Sequence, residues 1–411
     1  MQINSPINNY DIVVIGGGVV GSSFAHALSH NLQTNCPSIL LVEATSPKSP
    51  SNIQPSFDSR STAISFGSRK IYEAMNLWPT LEKSATQIHE IKVSDRGHLG
   101  STHLKSEDLN VEALGYVIEN ANIGAALNEK MLASSTISFL APAKIESIKP
   151  TPDGMELSIA KCKEKFSVAA SLIVLADGGR STICQQLGIS QLKQSYRQHA
   201  VNVNVAFEKP HRNVAFERFT AAGPLAVLPL RKINNDNRCS VVWVVGEQDS
   251  NVIMELDDEE FASELQSFFG SRLGEIINIG QRFAYPLSLS ISKEQIRPGL
   301  VLLGNVAHTL HPVAGQGLNL ALRDISALVS TLERAILDRQ ALGSMKTLRS
   351  YVEKQDSDQQ RSILFTDNLT KIFSSNKRAN IFLRKLGLLS LEIIPTVRKS
   401  FTERAMGLIT R

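Results

Sequence analysis

Two glycine-rich segments, far apart in the chain, carry residues suited to binding a large phosphorylated cofactor. The first, YDIVVIGGGVVGSSF, holds Gly16, Gly18 and Gly21 at the GxGxxG spacing. Glycines at this spacing allow a tight turn and close approach of the backbone, and the helix that follows directs its free N–H groups at a pyrophosphate. In the second segment, GNVAHTLHPVAGQGLN, the candidate cofactor-binding residues are Gly304, Asn305, Pro312, Gly315, Gly317 and Asn319.

An acidic residue supports the first segment. Glu43 ends the apolar run Ile39–Val42, 22 residues after Gly21. An acid at this place accepts hydrogen bonds from the hydroxyls of a ribose. The second segment suits the other end of the same ligand, with Asn305 near a ribityl chain and the amides of a helix start at the flavin's N1–C2=O edge. Together the two segments predict one extended FAD molecule.

These residues require buried strands and helices to hold them. Strands are predicted at Ile12–Ile15, Leu172–Leu175 and Val301–Leu303, and helices at Asn122–Leu132 and 317–337. Residues 199–291 are mainly β, with about five strands and an acidic helix near 257–269. The predicted fold class is α/β, with a Rossmann-like FAD-binding domain, an inserted mainly β substrate domain and a C-terminal helical segment. The predicted bounds are 1–85, 115–195 and 297–345 for the FAD-binding domain, 86–114 and 196–296 for the substrate domain, and 346–411 for the basic helical region.

Composition limits the class of protein. Hydrophobic content of 42% and a mean hydropathy of −0.05 are typical of a soluble globular protein. Four dispersed cysteines and no visible signal peptide predict a cytoplasmic protein without a metal site. Net charge is +4 for the chain but +7 for residues 361–411, so the basic excess lies in the C-terminal region. Because the rest of the chain lacks this basic excess, the distribution argues against nucleic-acid binding by residues 1–360.

Several segments carry a family resemblance. GGGVVG, DSRSTA, ADGGRS and GNVAHTLHPVAGQGLN resemble the single-component FAD-dependent aromatic hydroxylases. LHPVAGQGLNLALRD, VSDRGH and FERFTAAGPLAVLPL resemble their ubiquinone-biosynthesis branch, most of all the 2-octaprenyl-6-methoxyphenol hydroxylases, over nearly the whole chain. The resemblance implies that Arg60 lies near the flavin and pyrophosphate, and that Asp177 begins a motif touching FAD and a nicotinamide cofactor. The alternatives are a surface loop cation for Arg60 and an acidic strand-end turn for Asp177.

The resemblance also implies an activity. A flavin-dependent monooxygenase would hydroxylate the aromatic ring of a polyprenylated phenol in ubiquinone biosynthesis through a flavin hydroperoxide formed from O2. Only one GxGxxG is present, so NAD(P)H is expected to bind transiently as the reductant. A flavin-dependent halogenase is disfavoured because the chain has no WxWxIP segment, and a polyprenyl reductase is a further rival within enzymes. The alternative from another class is an FAD-binding, membrane-associated accessory subunit of a quinone-biosynthesis assembly without its own turnover.

The sequence does not identify a catalytic side chain. His308 and His311 are weak candidates for a proton relay, because imidazole titrates near neutral pH. The alternative is that His308 packs near the flavin and His311 positions Pro312. Arg96 and His98 form either an exposed hairpin or part of the site. Cys184 stands where the broad family commonly has an arginine that contacts the nicotinamide cofactor.

The C-terminal region mixes apolar residues at helical spacing with basic ones. Such a helix can lie on an anionic membrane surface, and Lys377, Arg378, Arg384 and Lys385 are the basic residues expected to face it. The sequence therefore predicts a peripheral protein on the inner face of the cytoplasmic membrane, with a quinone-biosynthesis protein assembly as a further partner. The alternative is a helix that packs on the core and leaves its basic face in water.

Overall fold

The computed structural model describes residues 9–46, 60–97, 101–373, 384, 387 and 389–408. Its strands, in chain order, are β1 (Asn9–Ile15), β2 (Ile39–Val42), β3 (Ser61–Ser65), β4 (Thr86–Ile88), β5 (Glu90–Asp95), β6 (Ser101–Lys105), β7 (Gly115–Glu119), β8 (Ile137–Leu140), β9 (Lys144–Thr151), β10 (Gly154–Lys161), β11 (Glu164–Leu175), β12 (Gln191–Phe207), β13 (Val214–Phe219), β14 (Pro224–Pro229), β15 (Asn237–Gly246), β16 (Ile276–Ile279), β17 (Phe283–Ser292), β18 (Ile296–Arg297), β19 (Leu300–Leu302) and β20 (His308–Thr309). Its helices are α1 (Val19–Leu32), α2 (Phe66–Ala74), α3 (Trp78–Leu81), α4 (Asn120–Ala133), α5 (Thr182–Gln186), α6 (Glu247–Glu255), α7 (Asp258–Phe269), α8 (Gln316–Leu337), α9 (Met345–Phe373) and α10 (Pro395–Ala405).

The first sheet has the order β18-β19-β11-β1-β2-β8, and the hairpin β9–β10 extends β11. Strands β19, β11, β1, β2 and β8 run parallel, which explains their continuous apolar runs, because helices and the hairpin cover both faces. The chain leaves β1 towards β2 on one side and returns as β11 on the other. Their ends meet where Ile15 pairs with Val42 and with Leu175. Parallel sheets bind ligands at such a reversal.

Helices α1, α4 and α8 pack on one face of this sheet. Phe24 and Leu28 of α1 are fully buried in a cluster with Ile12 and Val14 of β1. Gly21 permits this close packing, because a Cβ atom there would lie 2.0 Å from the carbonyl oxygen of Gly16. The absence of a side chain at Gly21 therefore lets the first predicted helix pack closely against the end of the first predicted strand.

The second sheet has nine strands in the order β20-β17-β12-β15-β14-β13-β5-β6, with β16 paired to β12. One face packs on α6 and α7 through a cluster containing Trp243, Phe261 and Phe269. The opposite face turns towards the first sheet. Strands β5 and β6 belong to this sheet, although more than 80 residues separate them from β12. A third, small sheet, β3-β7-β4, bridges the other two.

The fold therefore has the predicted α/β class with a large β-rich layer, while the exact domain bounds stay a prediction. Arg96 follows β5 in the turn towards its antiparallel partner β6 and is exposed, as the hairpin alternative expects, and its guanidinium lies 3.8 Å from the centre of the Phe268 ring. His98 lies outside the described residues.

The C-terminal helices are tied to the body of the protein. Arg323 of α8 forms an ion pair with Asp358 of α9, with Nε and Oδ2 2.6 Å apart. After α10, the carbonyl of Met406 accepts a hydrogen bond of 2.9 Å from the N–H of Gly67 on α2. Across the described part of the chain, no helix is both long and apolar enough to cross a lipid bilayer.

Candidate functional site

A cavity of about 1080 Å³ lies between the carboxyl ends of the parallel strands and the second sheet. Its lining contains nine of the twelve predicted cofactor-binding residues: Gly16, Gly18, Glu43, Arg60, Asp177, Asn305, Pro312, Gly315 and Gly317. Gly21, Gly304 and Asn319 lie next to the cavity without lining it. The cavity thus joins the two glycine segments that the sequence predicted to bind one ligand.

The first end of the cavity is a helix start. Gly18 precedes α1, and no side chain caps the first turn of this helix. Its N–H groups and positive dipole end can therefore serve an anionic ligand. Gly16 has φ +103°, and a Cβ atom there would lie 2.5 Å from the carbonyl oxygen of Ala176. Only glycine allows the ends of β1 and β11 to approach so closely beside the helix.

Glu43 is held at the same end by backbone donors. Its Oε2 accepts a 2.7 Å hydrogen bond from the N–H of Gly17, and its Oε1 accepts a 2.8 Å bond from the N–H of Thr45. The side chain is buried at the cavity edge. An ionised carboxylate only accepts hydrogen bonds, which suits it to the donor hydroxyls of a ribose. This geometry fits the predicted adenosine contact.

The second end of the cavity is another helix start. Gly315 precedes α8, again without a side-chain cap, and Asn305, Pro312 and Gly317 line the cavity beside it. A Cβ atom at Gly317 would meet no atom within 4 Å, so this position faces open space. Two uncapped helix starts on one cavity fit a ligand with a pyrophosphate and an electron-rich ring, as reduced FAD has.

Asn319 is buried and does not line the cavity, and its predicted contact with the cofactor stays a prediction. Its Nδ2 donates to the carbonyls of Ala63, at 2.9 Å, and Gly315, at 2.6 Å. Its Oδ1 accepts a 2.9 Å bond from the N–H of Ser65. The amide therefore fastens β3 to the turn before α8. It positions the wall of the cavity without forming part of its surface.

Arg60 and Asp177 both line the cavity. The Arg60 guanidinium lies 4.5 Å from the centre of the Tyr285 ring, so Arg60 is packed rather than free on a surface loop. Asp177 accepts a 2.7 Å hydrogen bond from Ser181 Oγ. Burial raises the pKa of Asp177 to about 6. Their predicted contacts to FAD and to a nicotinamide cofactor stay proposals, which their positions allow.

The two histidine candidates lie behind the cavity wall. His308 Nε2 is 2.8 Å from Asp324 Oδ2, and both side chains are 1% exposed. The His311 ring packs edge-on against Tyr196, with centroids 5.1 Å apart, and burial lowers the pKa of His311 to about 4. Neither side chain lines the cavity. The packing alternative fits both positions, and the proton-relay role stays a prediction.

For the opposite wall, the sequence predicted a β-rich substrate domain but not which of its residues face the cavity. Alternate residues of five strands in the second sheet face the cavity, and they form what we call the sheet wall: Val93 on β5; Ala215, Glu217 and Phe219 on β13; Pro224, Ala226 and Leu228 on β14; Val242 and Val244 on β15; Ala200 and Asn202 on β12. Burial raises the pKa of Glu217 to about 7. The alternation of small and apolar residues in these strands was the signal, but it does not tell a cavity from a core.

The C-terminal region also reaches the cavity. Its lining includes Phe365 and Leu369 of α9, Leu391, Phe401 of α10 and Arg384. The Arg384 side chain is 3% exposed, with its Nε 3.6 Å from Asp95 Oδ2. This residue is therefore part of the interior, which corrects the expectation that basic residues of the region lie on a surface.

Comparisons with known proteins agree with this site. The sequence profile of the FAD binding domain family matches residues 9–360. Ubiquinone hydroxylase UbiL of Rhodospirillum rubrum is 30% identical over 400 residues, which cover 97% of this chain and 89% of that protein. The 3-demethoxyubiquinol 3-hydroxylase of Escherichia coli is 28% identical over 401 residues, covering 97% and 98%. The crystal structure of p-nitrophenol 4-monooxygenase PnpA from Pseudomonas putida has the same fold, with a TM-score of 0.78 at 17% identity over 97% of this chain and 99% of that one.

Fold, cavity and similarity together define an FAD-dependent aromatic hydroxylase, that is, a flavoprotein monooxygenase. More narrowly, the chain belongs to the FAD binding domain family and, within it, to the hydroxylases of ubiquinone biosynthesis. The predicted family and fold class are confirmed.

Proposed function

We propose that this protein hydroxylates the aromatic ring of a polyprenylated phenol, with NAD(P)H as a transient reductant and O2 as the co-substrate. The observation that carries the proposal is the continuity of the cavity. One space joins the two uncapped helix starts, which suit FAD, to the apolar sheet wall, which suits an aromatic ring. The naming of two similar proteins as ubiquinone-pathway hydroxylases supports the choice of substrate class.

FAD, when bound and reduced, supplies the oxygen chemistry: one atom of O2 enters the ring and the other leaves as water. The residues of the chain bind the cofactor and orient the substrate. The start of α1 would hold the pyrophosphate, Glu43 the ribose, and Asn305 with the start of α8 the flavin end. Arg60 and Asp177 line the same cavity and would contact the cofactor there.

The sheet wall would place the substrate and exclude water. Apart from Glu217 and Asn202, its side chains are apolar or small, among them Ala226, Val242 and Val244. An apolar wall admits a phenyl ring and keeps water from the reacting oxygen, which limits unproductive loss of reducing equivalents. The protein therefore positions the substrate and excludes water from the site, while the cofactor performs the redox step.

Access for a prenyl chain would run past the C-terminal region. Leu389, Ile393, Ile394 and Val397 are 51%, 66%, 42% and 41% exposed, and Val397 also lines the cavity. Exposed apolar side chains that continue into a cavity suit a lipid-dissolved substrate. This supports the proposal of a peripheral protein on the inner face of the cytoplasmic membrane. Of the four basic residues first expected to face the leaflet, Arg384 is buried, and Lys377, Arg378 and Lys385 lie outside the described residues.

The membrane proposal has a direct test on these exposed side chains. We expect Ile393→Glu to weaken binding to vesicles of anionic phospholipid, because a charge replaces a side chain that would enter the interface. Turnover of a soluble short-chain substrate should stay at the parent level. Exposed Leu132→Glu, on α4, is the matched control. Equal sedimentation of the parent and Ile393→Glu with vesicles would contradict the proposal.

The activity is tested with the FAD-loaded protein, NAD(P)H and a short-chain prenylated phenol. We expect substrate-stimulated NAD(P)H oxidation and one atom of isotopically labelled O2 in the product ring. Profiling of quinone intermediates in cells lacking the protein should show one unhydroxylated precursor, which fixes the ring position. Flavin reoxidation that no phenol accelerates would favour the alternative, an accessory FAD-binding subunit of a quinone-biosynthesis assembly.

A further inference from the structure

Glu217 is an acidic residue in an otherwise apolar part of the sheet wall. It lies in the middle of β13 and is paired with Ala226 of β14 on one side and Val93 of β5 on the other. All three positions line the cavity, and so do Ala215 and Phe219 on the same face of β13. The carboxyl group thus projects into the chamber that would receive the aromatic ring.

This carboxyl group has no protein partner among the described residues. The two arginines of the same lining have partners of their own: Arg384 pairs with Asp95, which shares a face of β5 with Val93, and Arg60 stacks on Tyr285. Glu43 and Asp177 belong to the cofactor end. Neighbouring Arg218 faces the other side of the sheet, because side chains alternate along a strand.

The apolar surroundings have a consequence for the proton on Glu217. Desolvation raises the pKa of this carboxyl from its ordinary value of 4.5 to about 7. Near neutral pH the group therefore exists in both protonation states and exchanges a proton readily. An unpaired carboxyl in an apolar wall lowers stability, so its presence points to a ligand.

We infer that Glu217 is a catalytic residue of the hydroxylation, where its carboxylate accepts first the hydrogen bond and then the proton of the substrate's phenolic hydroxyl. This inference rests on the proposed function. The phenolic O–H bond breaks, the proton moves to a carboxylate oxygen, and the electron pair stays on the phenolate oxygen. Conjugation of that oxygen raises electron density at the ortho and para carbons of the ring. Electrophilic oxygen transfer needs such an electron-rich ring, and the proton can return to the product hydroxyl or to water.

The same contact would set which ring carbon reacts. A hydroxyl anchored at Glu217 fixes one point of the ring, and the flanking Val93 and Ala226 side chains restrict its rotation. Sites that hydrogen-bond a substrate hydroxyl discriminate strongly against analogues that lack it. A phenol should therefore bind better than its methyl ether, although the ether is more apolar.

The test compares Glu217→Gln, which keeps the shape but removes the base, with Glu217→Asp, which keeps a carboxylate. Glu156→Gln, an exposed strand position of the first sheet, is the matched control. For Glu217→Gln we expect kcat to fall by roughly 10²- to 10⁴-fold, the usual range for loss of a general base, with a smaller change in KM. Glu217→Asp should recover part of that loss. In the parent, kcat/KM should rise with pH through about 7, and this limb should vanish in Glu217→Gln.

Binding gives a second and independent readout. Calorimetric titration of the FAD-loaded proteins with a short-chain prenylated phenol and with its methyl ether should show a preference for the phenol in the parent. We expect Glu217→Gln to lose that preference. FAD content and the thermal unfolding midpoint report whether each variant is folded.

The outcomes separate this inference from the proposed function. Parent-like turnover and an unchanged pH profile in Glu217→Gln would overturn the role of Glu217 and leave the function standing. Absence of phenol hydroxylation by the parent would reject the function, and the binding comparison would still decide whether Glu217 recognises a phenolic hydroxyl. Equal preference for phenol over ether in parent and Glu217→Gln would overturn that recognition.

Discussion

The two walls of the cavity are built in different ways. The cofactor wall consists of strand ends and helix starts, and its binding groups are backbone N–H groups next to Gly16, Gly18 and Gly315. The sheet wall consists of side chains that alternate along strands, and it needs small or apolar residues and one carboxyl group. Recognition by the backbone requires particular residues at fixed spacing, whereas recognition by side chains on a sheet tolerates many sequences. A substitution in the cofactor wall should therefore change the affinity for FAD, and one in the sheet wall should change the binding of the substrate.

The largest expected effect is on the cofactor wall at Gly18. We expect Gly18→Val to lower FAD affinity by well over tenfold, or more than about 1.4 kcal/mol, because a side chain occupies the space of the pyrophosphate. The purified variant should be colourless, and fluorescence titration with FAD gives the affinity. Ala160→Val, on the hairpin strand β10, is the control. A folded, yellow Gly18→Val protein would show that FAD does not depend on Gly18, and would contradict the assignment of this wall to the cofactor.

Gly317 tests the other end of the same wall. A leucine side chain here would enter open cavity space, so Gly317→Leu should fold normally and bind FAD about tenfold more weakly, a loss near 1.4 kcal/mol. The unfolding midpoint of the FAD-free variant should match that of the parent. Unchanged FAD affinity and activity would place the flavin away from the start of α8.

Ala226 is the matching position in the sheet wall. We expect Ala226→Leu to raise KM for the phenol by about tenfold, since an overfilled packed site typically loses about 1–3 kcal/mol. FAD affinity should stay at the parent value, because this side chain faces the substrate chamber. Steady-state kinetics and FAD titration on one preparation give both numbers. A variant that loses FAD and substrate affinity equally would show that the two walls do not act separately.

The smallest expected effect is on stability. The pKa of Glu217 is raised in the folded protein, so between pH 4.5 and about 7 the unfolded chain releases a proton that the folded chain keeps. The parent therefore loses stability across this window, and Glu217→Gln does not. Above pH 7 we expect the variant to be more stable by on the order of 1 kcal/mol, a value reduced because water reaches the cavity. Thermal unfolding at several pH values measures this difference in stability between Glu217→Gln and the parent. If the difference is as large at pH 4.5 as above pH 7, the raised pKa of Glu217 is not its cause.

Much of the cofactor wall was predictable because its chemistry constrains local sequence. The strand Ile39–Val42 with Glu43 at its end, and the helix starts after Gly18 and Gly315, occur where the motifs predict them. Asn319 was predicted to bind the cofactor, which stays a prediction, and in the structure its amide fastens β3 to the turn before α8. Motif membership does not specify which way an amide side chain turns, because that depends on neighbours distant in the chain.

The sheet wall was less predictable because pairing between distant strands determines it. Strand β12 begins at Gln191, while the apolar alternation that predicted it starts only at Val201. The polar first part is a strand because it pairs with β17, from Gln191 opposite Ser292 onwards. The net charge of the C-terminal region likewise suggested that Arg384 lies on the surface, whereas its side chain is buried beside Asp95. A count of charges does not show which way each side chain points.

The contact between Gly67 and Met406 has a consequence for how the protein is made. Strands β1 and β2 and the first helix start can form while the chain is still on the ribosome, since N-terminal units fold first during synthesis. The cavity beside them is not enclosed until Phe401 and Ala405 have emerged and Met406 has reached α2. A nascent chain of a few hundred residues therefore exposes an unfinished, apolar chamber, which makes it a candidate for chaperone binding during translation.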